Sequence, residues 1–263
     1  MTLAARDALK KALRKVRLEA LGGEPAGFRE VKSEAELRAI RKAVRVAEGA
    51  FAELTGRGAE AFVGRPEREV AAELDYLMRL GGASAPSFET IVAAGPHAAL
   101  PHYRPGSTRI RRGRPVLIDW GAKVGGYCSD LTRVVFLDRI PPQLAEVYQV
   151  VLRAQEAGLR ACGPGVSGGE VDAAAREVVA EAGYGEAFTH GLGHGLGLEV
   201  HEGPRLGRKV EHGLAAGMVV TVEPGVYLPG VGGVRIEDDV QVTSSGRRKL
   251  SRLPRDLESM VLG

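Results

Sequence analysis

The stretch PVLIDWGAKVGGYCSDLTRVVFL, residues 115–137, restricts the fold of this chain more than any other. Two strand-like apolar runs flank Gly125–Gly126, the signature of a hairpin turn. Each run carries an aspartate, Asp119 and Asp130, where the surrounding pattern looks buried. With Val124 and Gly125 as the two loop residues, Asp119 falls directly opposite Asp130, and their Cβ atoms lie ~5 Å apart on one face. Two ionised carboxylates so placed repel by ~4 kcal/mol at an effective dielectric of about 20. A shared proton, neighbouring arginines or bound cations would relieve the repulsion. A register off by one would instead turn the two aspartates to opposite faces, and the hairpin alone leaves that choice open.

The rest of the chain alternates helix blocks with strand blocks. Residues 1–21 predict a helix with Leu9, Leu13 and Val16 at helical spacing among basic residues, broken by GGEPAG at 22–27. Ser33 is a good N-cap for a helix with an apolar stripe of Leu37, Ile40, Val44, Ala47 and Phe51. A second helix is predicted over 65–80, with Pro66 near its start and two glycines after it. ETIVAAG, GMVVTVEPGVYL and GVRIEDDVQVT read as further strands, and residues 141–162 and 167–184 as two more helices. This order predicts an α/β or α+β fold, with no linker or low-complexity tract between residues 30 and 263.

Composition narrows the function. With 36 basic against 33 acidic residues, a net charge of +3, neither nucleic acid nor an anionic membrane is indicated as partner. Two cysteines, Cys128 and Cys162, make neither a disulfide framework nor a metal-binding CxxC, which favours a reduced compartment. No apolar run reaches the ~18 residues of a membrane span. The N-terminus lacks the apolar core of a signal peptide, so a cytoplasmic setting is expected.

Three more candidates stand downstream. THGLGHGLGLEVHEGP holds His190, His194 and His201, with glycines that permit close backbone approach. Glu223 follows MVVTV and precedes Pro224–Gly225, and Glu237 lies in GVRIEDD. Four carboxylates with one histidine form a hard, oxygen-rich donor set, suited to two divalent ions such as Mn²⁺ or Co²⁺ rather than to a thiolate zinc site.

The set Asp119, Asp130, His194, Glu223 and Glu237 resembles the five-ligand dimetal site of the pita-bread metallopeptidases, family M24. The resemblance runs from about residue 31 to the C-terminus, including PSFETIVAAGPHAALPHYRP and LSRLPRDLE. The fourteen-residue step from Glu223 to Glu237 and the motif GHGLGLEVHEGPR look like the Xaa-Pro dipeptidase (prolidase) and aminopeptidase P branch. The fold so implied is α+β: a curved, mostly antiparallel sheet covered by helices, in pseudo-twofold halves. Residues 1–30 would be a helical segment, either a remnant of a missing N-terminal domain or the start of a naturally short relative, and residues 31–263 the catalytic domain.

The resemblance also implies roles. Asp119 would chelate one ion, Asp130 and Glu237 would bridge both, and His194 and Glu223 would complete the separate shells. Zn²⁺ or Fe²⁺ are the other ions this donor set accepts. Glu223 would take a proton from a water bridging the two ions and pass it to the leaving amine. His201 and His102 would steady the substrate or the tetrahedral intermediate, and Arg205 would hold a dipeptide carboxylate. Arg235 and His190 would support the ligands from behind. The pocket for proline is expected around Tyr103 and Tyr227. The implied protein is a cytoplasmic homodimer that cleaves Xaa-Pro dipeptides. Competing readings are aminopeptidase P or another aminopeptidase acting on longer peptides, and a non-catalytic binding module of the same fold.

Overall fold

A computed structural model describes residues 1–19 and 24–263. The expected first helix is shorter: α1 spans Leu3–Ala12 and buries no residue. Leu9, Leu13 and Val16 are exposed, so no tertiary packing extends the helix along its apolar stripe. Positions 20–23, the end of that predicted helix and the start of its break, lie outside the described residues. Within the predicted break, α2 (Glu24–Gly27) makes one helical turn.

The first half of the molecule sets two helices on a sheet. Helix α3 (Glu34–Thr55) begins with a capping box in which Ser33 and Glu36 satisfy each other's backbone N–H. It buries the predicted stripe, and its Ala47 carbonyl accepts a hydrogen bond from Trp120 Nε1 at 2.9 Å. Phe51 stacks on Trp120 with centroids 4.5 Å apart. Helix α4 (Glu67–Leu80) follows Pro66. A three-stranded sheet orders β1 (Ala85–Pro86), β4 (Ala122–Val124) and β5 (Tyr127–Cys128). A four-stranded sheet orders β14 (Val261–Leu262), β6 (Leu131–Leu137), β3 (Pro115–Trp120) and β2 (Ile91–Ala94).

The second half repeats the plan. Helices α5 (Pro142–Ala161) and α6 (Gly168–Glu181) accompany a five-stranded sheet. Its order is β13 (Gly246–Lys249), β12 (Asp238–Thr243), β9 (Val219–Val222), β7 (Gly193–Gly195) and β8 (Glu202–Leu206). A hairpin of β10 (Gly225–Leu228) and β11 (Gly232–Arg235) is inserted between β9 and β12 in sequence order and contacts β3 and β6 of the first half through β11. An isolated bridge from Thr132 to Glu237 ties the two larger sheets together. Every strand pair is antiparallel except β14 with β6.

The hairpin register differs from the sequence expectation. Val124 pairs Tyr127 and Lys123 pairs Cys128, so the loop residues are Gly125 and Gly126, not Val124 and Gly125. Both glycines take positive φ, 60° and 87°, as a two-residue I′-like turn demands and valine resists. Asp119 therefore faces Thr132 rather than Asp130. The shift moves each strand by one residue, which preserves the shared face and leaves the two aspartates as diagonal neighbours.

Candidate metal centre

The two halves bring their acidic residues to one cleft. Asp119 sits near the end of β3, and Asp130 in the break between β5 and β6. His194 is central in β7, Glu223 follows β9, and Glu237 stands between β11 and β12. All five line a cavity of about 560 Å³. One ligand atom each from Asp130, His194 and Glu237 lie within 4.8 Å of one another. His194 Nε2 is 3.2 Å from Glu223 Oε1 and 3.6 Å from Asp130 Oδ2.

The glycines around His194 have a clear purpose. A Cβ at Gly193 would collide with the Thr221 carbonyl, and one at Gly195 with the Gly203 carbonyl. The strand can enter the sheet there only as Gly-His-Gly. The His194 backbone N–H donates to Thr221 Oγ1 at 3.0 Å, and the same hydroxyl donates to Glu223 Oε1 at 3.0 Å. Thr132 does the equivalent for Glu237, donating to Oε2 at 2.6 Å, while accepting from Arg235 Nε at 3.0 Å.

The electrostatics are those of a crowded anion cluster. Burial is the first reason that Asp119, Asp130 and Glu237 rise above the ordinary carboxylate range. For Asp130, repulsion from Glu237, Asp119 and Glu223 adds to burial. Glu223 moves the other way. Burial pushes it up, but the hydrogen bond and charge of His194, with His190 and Arg235, outweigh burial and hold it at about 2. The Arg235 guanidinium is buried and reaches Thr132, Tyr227 (2.9 Å) and Asp119.

The remaining predicted residues, His102, His190, His201, Arg205 and Arg235, line the same cavity. The His201 ring meets His194 edge-on with centroids 4.3 Å apart. His190 Nε2 lies 2.8 Å from the Tyr227 hydroxyl, and burial pushes its imidazole down. Arg205 pairs with His194 across β7 and β8 and leaves its side chain exposed at the cavity. Tyr103 lines the cavity as expected, but Tyr227 does not; its hydroxyl lies behind, between His190 and Arg235. The sequence reading missed Thr132 and Thr221, each two residues from an acidic ligand candidate and therefore on its face of a strand. It also missed Asp239, whose Oδ2 accepts from the Asp130 N–H at 3.0 Å. Phe88, Ile91 and Val200 form apolar parts of the wall.

The donor set fits divalent cations. Asp119 Oδ1 is buried without a hydrogen-bond partner. Among the described residues no hydrogen bond reaches the Asp130 carboxylate, since His194 at 3.6 Å is too distant for one. His194 Nδ1 faces the Gly195 carbonyl at 3.1 Å. That oxygen only accepts, so Nδ1 carries a proton, and Nε2 faces the acids, where it bonds Glu223 without metal and would ligate a cation once its own proton is displaced.

Two helix-backed halves around a cleft lined by carboxylates and histidine define a pita-bread metallopeptidase fold. The chain belongs to metallopeptidase family M24, whose model matches residues 38–244. It is 44% identical over 230 residues to the Xaa-Pro dipeptidase of Pyrococcus horikoshii, which covers 88% of this chain and 65% of that protein. An X-Pro aminopeptidase from Thermotoga maritima superposes with a TM-score of 0.94 at 40% identity, over 100% of this chain and 72% of its own. The prolidase from Pyrococcus furiosus superposes at 0.91 with 39% identity, over 97% and 74%. The chain spans about 65% of the length of the dipeptidases it matches by sequence. Among the described residues no helix is long and apolar enough to cross a membrane.

Proposed function

We propose that this chain is a dinuclear metallopeptidase that hydrolyses the Xaa-Pro bond, preferentially in dipeptides. The observation that carries the reading is the convergence of Asp119, Asp130, His194, Glu223 and Glu237 in one cavity, with the buried Asp119 Oδ1 unpartnered. These five would hold two divalent ions, Mn²⁺ or Co²⁺ by donor hardness, with Zn²⁺ or Fe²⁺ also compatible. When bound, the ions would acidify a water molecule and polarise the scissile carbonyl.

The chain's own residues supply the rest. Glu223 Oε1 is oriented by Thr221, which leaves Oε2 to take a proton and return it to the leaving nitrogen. A prolyl nitrogen carries no N–H in the peptide, so this proton is required for it to depart as an amine. His201 and His102 would brace the carbonyl carbon as it becomes tetrahedral. Arg235 and His190, joined through Tyr227, hold Asp119 and the cleft wall in place. Arg205 offers an exposed cation to a carboxylate close to the scissile bond, which favours a dipeptide.

A second reading is cleavage of longer Xaa-Pro peptides. It is favoured by a neighbouring cavity of about 550 Å³ that shares His190, Gly191 and Gly207 with the first. We further propose residues 31–263 as the catalytic unit and 1–30 as a separate helical segment, supported by α1 burying none of its residues. A cytoplasmic setting is supported by the two buried free thiols, and a homodimer rests on family resemblance. The test is to strip metal, restore Mn²⁺, Co²⁺ or Zn²⁺ separately, and compare Xaa-Pro, Xaa-Pro-Yaa and Met-Ala peptides. Faster cleavage of the tripeptide overturns the dipeptide preference. A protein that binds no divalent ion and gains no activity from one overturns the enzyme reading.

A further inference from the structure

The segment PSFETIVAAGPHAALPHYRP contains a histidine, His97, that the proposed chemistry does not use. Its ring leads to Glu67, the first residue of α4, whose side chain is 0% exposed. Oε1 of Glu67 accepts from the Ala94 N–H at 2.8 Å and from His97 Nδ1 at 2.9 Å. Oε2 accepts from the Tyr103 hydroxyl at 2.7 Å and from the Gly106 N–H at 3.2 Å. Four donors occupy about the four lone-pair sites a carboxylate has. The negative charge also sits at the N-terminus of α4, the positive end of the helix dipole.

All four donors belong to one connection. Ala94 ends β2, Gly106 lies beyond the loop, and His97 and Tyr103 lie between, with their rings stacked at 4.5 Å. Pro101, His102, Tyr103 and Arg104 of this connection form one wall of the main cavity. The loop holds no element longer than the short 3-10 turn Gly95–Ala99. A segment of this length without regular structure is held by whatever satisfies its polar groups.

We propose that Glu67 is a positioning residue for the substrate wall: one buried carboxylate pins both ends and the middle of the loop that presents His102 and Tyr103 to the peptide. Glu67 does not itself reach the cavity. This assignment rests on the peptidase reading for its kinetic consequence, but its structural consequence is independent of turnover.

In Glu67→Gln the amide NH₂ faces two donors and leaves them unsatisfied, so the loop loosens while α4 stays packed through Val70, Leu74 and Met78. The expected result is a KM for the Xaa-Pro substrate raised by about 10- to 100-fold, as for loss of positioning by about 1 Å. Bound metal per chain stays at the wild-type value, because none of the five cluster residues lies on this loop. Loss of active protein through misfolding would lower kcat and leave KM alone, so the split separates the two causes. His97→Phe is the milder variant. It keeps the ring stack on Tyr103, removes one donor, and alters a side chain that does not line the cavity; a several-fold rise in KM is expected.

Hydrogen exchange in the metal-free protein gives the arm that needs no activity. Faster exchange confined to residues 94–106 in Glu67→Gln supports the assignment. An unchanged KM, or exchange that is unaltered or raised equally throughout α4 and the adjoining sheet, overturns it. If the wild-type chain with metal cleaves no peptide, the functional reading fails, and the exchange arm alone then decides the positioning.

Discussion

Asp130→Asn should make the metal-free protein more stable while abolishing metal-dependent hydrolysis. Asp119 is its diagonal neighbour at ~7 Å, which amounts to a repulsion of about 2 kcal/mol at an effective dielectric near 20. Ligand atoms of Asp130 and Glu237 lie within 4.8 Å, worth about 3 kcal/mol more at that dielectric. Attraction to His194 at 3.6 Å offsets part of this, but that imidazole is shared with Glu223 at 3.2 Å. A net gain of about 1–3 kcal/mol is expected from removing the charge. The sign with pH follows from the raised Asp130 pKa. A carboxyl that binds its proton more tightly when folded destabilises above its folded pKa and costs nothing below its unfolded one. The advantage of the variant should therefore be absent near the unfolded value of pH ~4, grow as pH rises above it, and level off only above the folded pKa. The assay is urea unfolding in EDTA from pH 4 to 8, followed by the single tryptophan, Trp120, which is buried on Phe51. Saturating Mn²⁺ should reverse the order, since ligand at about 100 times Kd adds about 2.7 kcal/mol to the protein that binds it. Equal stabilities without metal, or a gain that grows on acidification, would refute the anion-cluster account.

Other substitutions test separate parts of the site. Thr221→Val removes the hydroxyl that joins the His194 N–H to Glu223, and should lower kcat about tenfold at a stability cost of about 1–2 kcal/mol, read by single-turnover kinetics and thermal melts. Lys32→Met removes one of the two cations on the buried Glu202 carboxylate and leaves Arg29 on the other oxygen, so chemical denaturation should show a loss of about 1–3 kcal/mol, and KM should rise as that strand loosens. Arg205→Met should raise KM for a dipeptide by about tenfold or more and spare a tripeptide with a blocked C-terminus; equal losses on both would remove its carboxylate-binding role.

Much of this protein is legible locally. Ser33 with Glu36, the stripe Leu37–Ile40–Val44–Ala47–Phe51, and the Gly/Pro-bounded strands form where their chemistry says they should, because caps, periodicity and turns act within a few residues. The helix predicted over 1–21 fell short because periodicity states which face is apolar, not whether anything covers it. The hairpin count slipped because alternation determines which face a side chain takes, whereas the positive φ at Gly125 and Gly126 decides which residue it opposes.

The candidate ligands, Asp119, Asp130, His194, Glu223 and Glu237, were readable as carboxylates and a histidine in strand-like or glycine-rich settings. Their meeting was not. They come from two sheets joined at the Thr132–Glu237 bridge, and only that closure sets Asp130, His194 and Glu237 within 4.8 Å of one another. Thr132, Thr221 and Glu67 were silent in the sequence for the same reason. A threonine or a glutamate looks ordinary until its partner, 105 residues away for Thr132, arrives within hydrogen-bond distance. Composition and pattern determined which chemical groups the chain could bury; the packing of one half on the other decided which of them face a common point, because only long-range contacts bring those groups into one low-dielectric space.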